Sequence, residues 1–326
     1  MHAMRLTAPA QFQTIHDAPI PAPAAGEVTV EFSAAALCGS DMPKFRATAD
    51  PRSGSAGFPV HECVGRIADP GHHRDLTAGQ RVLAMPADEC GLAEIYRARR
   101  DATYAIRAAH LSDAQATLIQ PLATVLYATS KLTGHLAGLH AVVIGLGPIG
   151  LLCAHILTGR GAHVTGIDPA GREDTLARAF GLADRLQDTS AAWATSRHRD
   201  RPVDLCVEAV GHQQRTLRDA ITLTRHSGTI LALGVPDDAE YALPYETLLR
   251  SNLTLITSIT PPWQHWFGPA ETYLTDHLDT LSLLLTHQFP VTAATQAYRT
   301  YAQPAHDRLK VTLTTTSGWR TPARLS

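Results

Sequence analysis

The hexapeptide GLGPIG, Gly145 to Gly150, constrains the fold of this chain more than any other stretch. It follows the apolar run AVVI and leads into the helical pattern PIGLLCAHILTGRG, which closes on a glycine. A strand that turns through such a loop into a helix is the phosphate-binding turn of a doubly wound α/β sheet. Gly145 permits the tight turn, Gly147 lets the backbone approach a pyrophosphate, and Gly150 lets the helix pack closely. Pro148 and Ile149 begin a helix whose N-terminus offers N–H groups and a positive dipole end to the phosphates. Asp168, in GIDP, lies eighteen positions beyond Gly150, at the end of a second strand. A carboxylate there accepts both ribose hydroxyls and repels a 2′-phosphate, so NAD is expected over NADP. Arg172 stands near enough to soften that repulsion. The bland alternative is a glycine-rich turn followed by a solvated loop acid.

The rest of the chain agrees with a two-part organisation. Residues 1–121 read as short strands and turns: GEVTVEFSAAAL alternates, and CVGRIADPG and GQRVLAMPA are β-rich pieces punctuated by Gly and Pro. Residues 112–132 look helical, with an interruption at Pro121. From 141 strands and helices alternate, through HVTGIDP, GREDTLARAFGL, DLCVEAVG, QQRTLRDAITLT and GTILALG to LTLITSI. Such alternation predicts a parallel sheet with helices on both faces over residues 122–288. The segment 289–326 returns to helix plus strand and is expected to rejoin the first part. TPPWQHWFGP, 260–269, reads as a loop from its Pro and Gly flanks. Its Trp263 and Trp266 fit a pocket wall, core packing or a subunit contact.

A length of 326 residues suits two domains, and 44% apolar against 18% charged residues gives burial enough to fold them. The formal net charge of −2 supplies no electrostatic reason to expect nucleic acid or an anionic membrane as partner. A small molecule is the expected partner. The five cysteines are scattered, with no CxxC pair, which argues against a disulfide framework. The N-terminal MHAMRLTAPAQFQ has no apolar leader, and no run reaches membrane-spanning length, so a cytoplasmic location is expected.

Two stretches carry metal-binding residue types. ALCGSD holds Cys38, Ser40 and Asp41, and FPVHECVG holds His61 and Glu62. Thiolate, imidazole and carboxylate are the donors that zinc takes in a catalytic site with an open position. Read alone, Cys38 is a packing residue before it is a ligand, and nothing suggests the covalent intermediate of a nucleophile. His72 and His73, in DPGHHRD, read as solvated loop residues.

Taken together, these stretches resemble the zinc-type medium-chain dehydrogenase/reductase family of alcohol, polyol and threonine dehydrogenases. ALCGSD resembles its first-ligand motif, and HECVG its GHE motif, with Gly65 as the motif glycine. LTAGQRV resembles the GDRV turn, GLAEIY the FAEY strand, QPLATVLYA the EPLA helix, and DLCVEAVG with TILALGV the later cofactor strands. The resemblance implies an α/β protein with a Rossmann domain and a β-rich GroES-like catalytic domain. It implies hydride transfer between a secondary alcohol, of polyol or sugar-like kind, and NAD(H). Cys38 and His61 would be zinc ligands, Glu62 an intermittent or outer ligand, Ser40 the first member of a proton relay, and Asp41 the partner that orients His61. Thr124 and Val125 would face the nicotinamide. Gly211 and Gly234 would line the dinucleotide cleft, although packing and turns account for these two, and for Thr124 and Val125, equally. The strand within 251–259 resembles the edge through which the family pairs two cofactor domains, which implies a homodimer.

The chain departs from the family at three places. Gln120 stands where the family has an acidic or cysteine ligand, and its amide is a neutral, weaker donor. Val60 replaces the glycine before His-Glu. The four-cysteine lobe is missing, since LAMPADECGLAEI keeps Cys90 alone, so no structural zinc is expected. Two other readings stay open at this point: a metal-free NAD(P)H-dependent reductase of the same superfamily, and a non-catalytic dinucleotide sensor.

Overall fold

The structure is a computed structural model that describes residues 1–47, 50–195, 201–316 and 319. Among the described residues the strands are β1 (Ala3–Ala8), β2 (Gln11–Ile15), β3 (Glu27–Ala36), β4 (Glu62–Asp69), β5 (Arg81–Pro86), β6 (Ile95–Ala105), β7 (His140–Ile144), β8 (His163–Ile167), β9 (Leu182–Leu186), β10 (Val203–Glu208), β11 (Thr224–Ala232), β12 (Thr254–Thr257), β13 (Leu285–Pro290) and β14 (Lys310–Thr314). The helices are α1 (Asp41–Arg46), α2 (Asp113–Ala116), α3 (Ile119–Ser130), α4 (Pro148–Gly159), α5 (Asp174–Ala179), α6 (Ser190–Thr195), α7 (Arg215–Leu223), α8 (Tyr245–Arg250), α9 (Trp263–Asp276), α10 (Leu278–Ser282) and α11 (Ala294–Ala302).

The chain forms two compact units. One comprises Met1–Pro121, Pro262–Pro304 and Arg308–Ser326, and the other Leu122–Pro261 and Ala305–Asp307. The return to the first unit comes at Pro262, well before the expected position at 289. The reason is α9. Its Glu271 carboxylate accepts the Tyr104 hydroxyl of β6 at 2.7 Å and the N–H groups of Arg107 and Ala108, both at 2.8 Å. TPPWQHWFGP is therefore no loop beyond its two leading prolines. It starts α9, Trp263 stacks on Phe267, and Pro269 is accommodated inside the helix.

In the first unit the sheet runs β13-β14-β3-β4-β5-β6, and β3 also pairs with β6, which curls the sheet back on itself. All of these pairings are antiparallel except β13 with β14. Alternation along β3 sends Val28, Val30 and Phe32 into a core shared with Phe45, Tyr298 and Trp319. Gly65 is required where β4 crosses β3, since a Cβ would stand 2.1 Å from the Glu31 carbonyl oxygen.

The second unit is an all-parallel sheet ordered β12-β11-β10-β7-β8-β9. Strand order reverses beside β7, the first strand, and in such sheets ligands sit off the carboxyl ends of the strands at that point. Its core joins Val142, Ile144, Ile167 and Cys206 to Ala220 and Ile221 of α7. Two elements differ from expectation. β9 gave no signal, because as an edge strand it buries Leu182 alone. Pro121 does not break its helix, because it lies in the first turn of α3, where its missing N–H would have no helical partner.

Candidate functional site

The register of the first unit's sheet explains how residues 38 and 61 meet. β3 and β4 are antiparallel, with Ala36 opposite Glu62. The residues just beyond β3 therefore face those just before β4. On the other side of β3, Thr312 of β14 pairs with Ala36, and the Leu37 N–H donates to the Val311 carbonyl at 2.9 Å. Three neighbouring strand ends thus converge on one place.

There the donor atoms of Cys38, His61 and Glu62 all lie within 4.8 Å of one another, the one such group among the described residues. Asp41, fully buried at the start of α1, organises them. One of its oxygens accepts the Cys38 N–H at 2.8 Å, and the other lies 2.9 Å from His61 Nδ1, off the ideal hydrogen-bond angle. Burial alone would lower the His61 pKa. The carboxylate of Asp41 and the Cys38 sulfur outweigh burial and hold it well above the ordinary imidazole value. Ser40 precedes α1, and its hydroxyl does not cap the helix. Gln120 is buried in the first turn of α3.

One member of the cluster had no sequence signal. Lys310, at the start of β14, is buried, and its ammonium donates to a Glu62 carboxylate oxygen and to the Leu37 carbonyl at 3.1 Å. Nothing local marks a lysine in a strand as buried. The β14–β3 register does so, by setting it beside Glu62. Burial opposes its charge, but Glu62 more than offsets this, so the Lys310 pKa is raised.

The residues suit a divalent cation. Zinc bond lengths of about 2.0–2.3 Å give a tetrahedron with edges of roughly 3.3–3.8 Å, so the donors need only a small inward movement. With His61 neutral, as a metal ligand must be, Cys38 as thiolate, Glu62 and Asp41 ionised and Lys310 protonated, two negative charges are uncompensated. A Zn²⁺ ion would neutralise them.

The second unit builds a separate site around its glycine turn. Gly145 has φ +90°, and a Cβ on Gly150 would stand 1.8 Å from the Gly145 carbonyl oxygen. At Gly147, the N-cap of α4, a Cβ would meet nothing within 4 Å, which leaves the open approach that a phosphate needs. Pro148 and Ile149 begin α4. Asp168 is clasped into this turn. Its oxygens accept the Leu146 N–H at 2.7 Å and the Ala170 N–H at 2.9 Å. Each carboxylate oxygen has a second lone pair, so ribose hydroxyls remain acceptable partners. Arg172 is buried, and its guanidinium donates to the carbonyls of Leu146, Ala305 and His306 at 2.8–2.9 Å. Gly211 and Gly234 follow β10 and β11, and Thr124 is buried on α3.

Two family models match the chain. Residues 24–112 match the alcohol dehydrogenase GroES-like domain, and residues 148–273 match the zinc-binding dehydrogenase domain. D-arabinitol dehydrogenase 1 of Uromyces fabae is 25% identical over 304 residues, covering 81% of this chain and 84% of that protein. L-threonine 3-dehydrogenase of Coxiella burnetii is 25% identical over 327 residues, covering 89% of this chain and 93% of that protein. Among solved structures, the alcohol dehydrogenase TADH from Thermus sp. ATN1 superposes with a TM-score of 0.80 at 22% identity, over 97% of this chain and 100% of that one. Galactitol-1-phosphate dehydrogenase from Escherichia coli gives 0.77 at 23% identity, over 96% of this chain and 100% of that one. These likenesses fix the architecture as a GroES-like domain with a Rossmann domain. Among the described residues no helix is long and apolar enough to cross a membrane.

Proposed function

Because the chain belongs to the zinc-type medium-chain dehydrogenase/reductase family, and is thereby an oxidoreductase, we propose that it is a zinc-dependent, NAD(H)-linked alcohol dehydrogenase. Its substrate in this reading is a secondary alcohol of polyol or sugar-like kind, or the matching ketone. The observation that carries the proposal is the convergence of Cys38, His61 and Glu62 from two strand ends, with Asp41 bracing the first two. The names of relatives that act on arabinitol, threonine and galactitol phosphate support the substrate class.

In this mechanism Cys38 and His61 would hold the metal, with Glu62 as an intermittent ligand and Gln120 as a neutral donor. A bound zinc ion supplies Lewis acidity, which eases loss of an alcohol proton. Asp41 keeps His61 in place and supports its basicity through the ring nitrogen that faces it. Ser40 accepts the alcohol proton and passes it towards solvent. The dinucleotide supplies the hydride acceptor, and the protein's part is to position it. The glycine turn and α4 take its phosphates, and Asp168 takes the adenosine ribose. Arg172 is committed to three carbonyls, so it offers little to a 2′-phosphate, which supports NAD over NADP. Thr124 is placed beside the nicotinamide in this reading. A homodimer paired through the edge strand β12, and a cytoplasmic site of action, complete it.

A metal-free reductase is the second reading, and one observation favours it: Lys310 already neutralises Glu62. Metal analysis of the purified protein, with NADH formation measured before and after chelation over a panel of secondary alcohols, separates the two. The zinc reading expects stoichiometric zinc and chelator-sensitive turnover. It also expects Cys38→Ala and His61→Ala to abolish turnover while NADH still binds. Near-wild-type rates in either variant refute it.

A further inference from the structure

Glu208 is a buried carboxylate at the end of β10, 3% exposed, that no step above employs. Its Oε1 accepts the N–H groups of Val210 at 3.0 Å and Gly211 at 3.1 Å, and the Thr216 hydroxyl at 2.9 Å. Its Oε2 lies 3.2 Å from the Gly234 N–H, which is shared with Glu208's own carbonyl oxygen. One side chain therefore ties together the turn after β10, the first turn of α7 and the turn after β11. Two glycines interlock around it. A Cβ on Gly234 would stand 2.3 Å from Oε2 and 2.4 Å from the Gly211 nitrogen, and Gly211 itself has φ +69°. All four partners are donors, so the match is an acceptor-only group, an ionised carboxylate. A glutamine of the same shape would keep the Oε1 bonds and set an N–H₂ against the Gly234 N–H.

We propose that Glu208 is a positioning residue that sets the spacing of the turns after β10 and β11, and through it the affinity for the nicotinamide half of the dinucleotide. The proposal rests on the dinucleotide reading above. In a doubly wound sheet each βαβαβ half takes one mononucleotide, and the turns of β7 and β8, with Asp168, belong to the adenosine half. All four partners of Glu208 belong to the other half, and of the turns it clasps the one after β10 also borders Gly145. Loosening it weakens the grip on the nicotinamide side far more than on the AMP side. A general loss of stability would weaken both.

The test is calorimetric titration of the full chain with NADH and with 5′-AMP, for wild type, Glu208→Gln and Thr216→Val. Glu208→Gln is expected to raise the Kd for NADH about tenfold, with less than about a twofold change for AMP. Thr216→Val removes one donor and keeps every backbone contact, so it reports even where Glu208→Gln does not fold. Its expected effect is about a threefold rise for NADH alone. Equal losses for both ligands, or unchanged NADH affinity in the variants, overturn the clasp. A wild-type protein that binds neither ligand overturns the dinucleotide reading, and the clasp with it.

Discussion

Replacing Lys310 by methionine tests the charge arrangement of the first unit. The pair it forms with Glu62 is closed to water, the two side chains being 3% and 1% exposed. Removing the lysine leaves the Glu62 carboxylate in a low-dielectric site without its hydrogen-bonded counter-ion, with His61 alone as a nearby cation. Breaking a buried pair from one side costs about 3–5 kcal/mol, whereas replacing both partners by apolar groups of similar volume is close to neutral. Lys310→Met is therefore expected to destabilise the metal-free first unit by about 3–5 kcal/mol, and Lys310→Met with Glu62→Leu to recover most of that loss. The assay is urea unfolding of chelator-treated protein, so that no bound cation substitutes for the ammonium. It is followed through tryptophan fluorescence, because Trp319 lies in this core. With a slope of about 2–3 kcal/mol per molar urea, the single variant shifts its midpoint down by about 1–2.5 M. A single variant within about 1 kcal/mol of wild type, or a double variant no more stable than the single, refutes the reasoning.

Three further outcomes follow from other contacts. Asp41→Asn, which weakens the acceptor at both Cys38 N–H and His61, is expected to lower zinc affinity by about 10- to 100-fold, measured by competition with a chromogenic chelator. Gly150→Ala must displace the Gly145 carbonyl, which the new Cβ would otherwise meet at 1.8 Å, so NADH binding by calorimetry is expected to fall by about 100-fold with the first unit's unfolding unchanged. Burial opposes the charge of Asp204, but the His140 N–H and Arg225 outweigh it and hold its carboxyl below the ordinary range. A folded pKa below the unfolded one stabilises the protein above the unfolded value of about 4 and ceases to do so as pH falls through the folded one. Asp204→Asn should accordingly melt earlier than wild type at pH 7, with the gap closing at acid pH.

The parts of this protein legible in the amino-acid order are those written locally. GLGPIG needs one strand, one turn and one helix, all within a few residues, and a Cβ on Gly150 has no room. The alternating strands and helices from residue 141 onward likewise state a parallel sheet through their own periodicity. Cys38, Asp41, His61 and Glu62 were visible as donor types in two short motifs. Their meeting was expected only through the family resemblance, because no local pattern states the Ala36–Glu62 register of the antiparallel pair on which it depends. What escaped altogether rests on pairing between distant segments: β9, whose edge position asks for almost no apolar residues; α9, held to β6 through Glu271; Lys310, whose burial beside Glu62 follows from β14 lying against β3; and Glu208, whose four donors come from two turns and a helix. A chain read in order carries its short-range periodicities and its chemistry-bearing residue types. Which charges face each other in the dry interior is settled only when remote strands choose their neighbours, since a buried group's energy depends on the partner that folding brings to it.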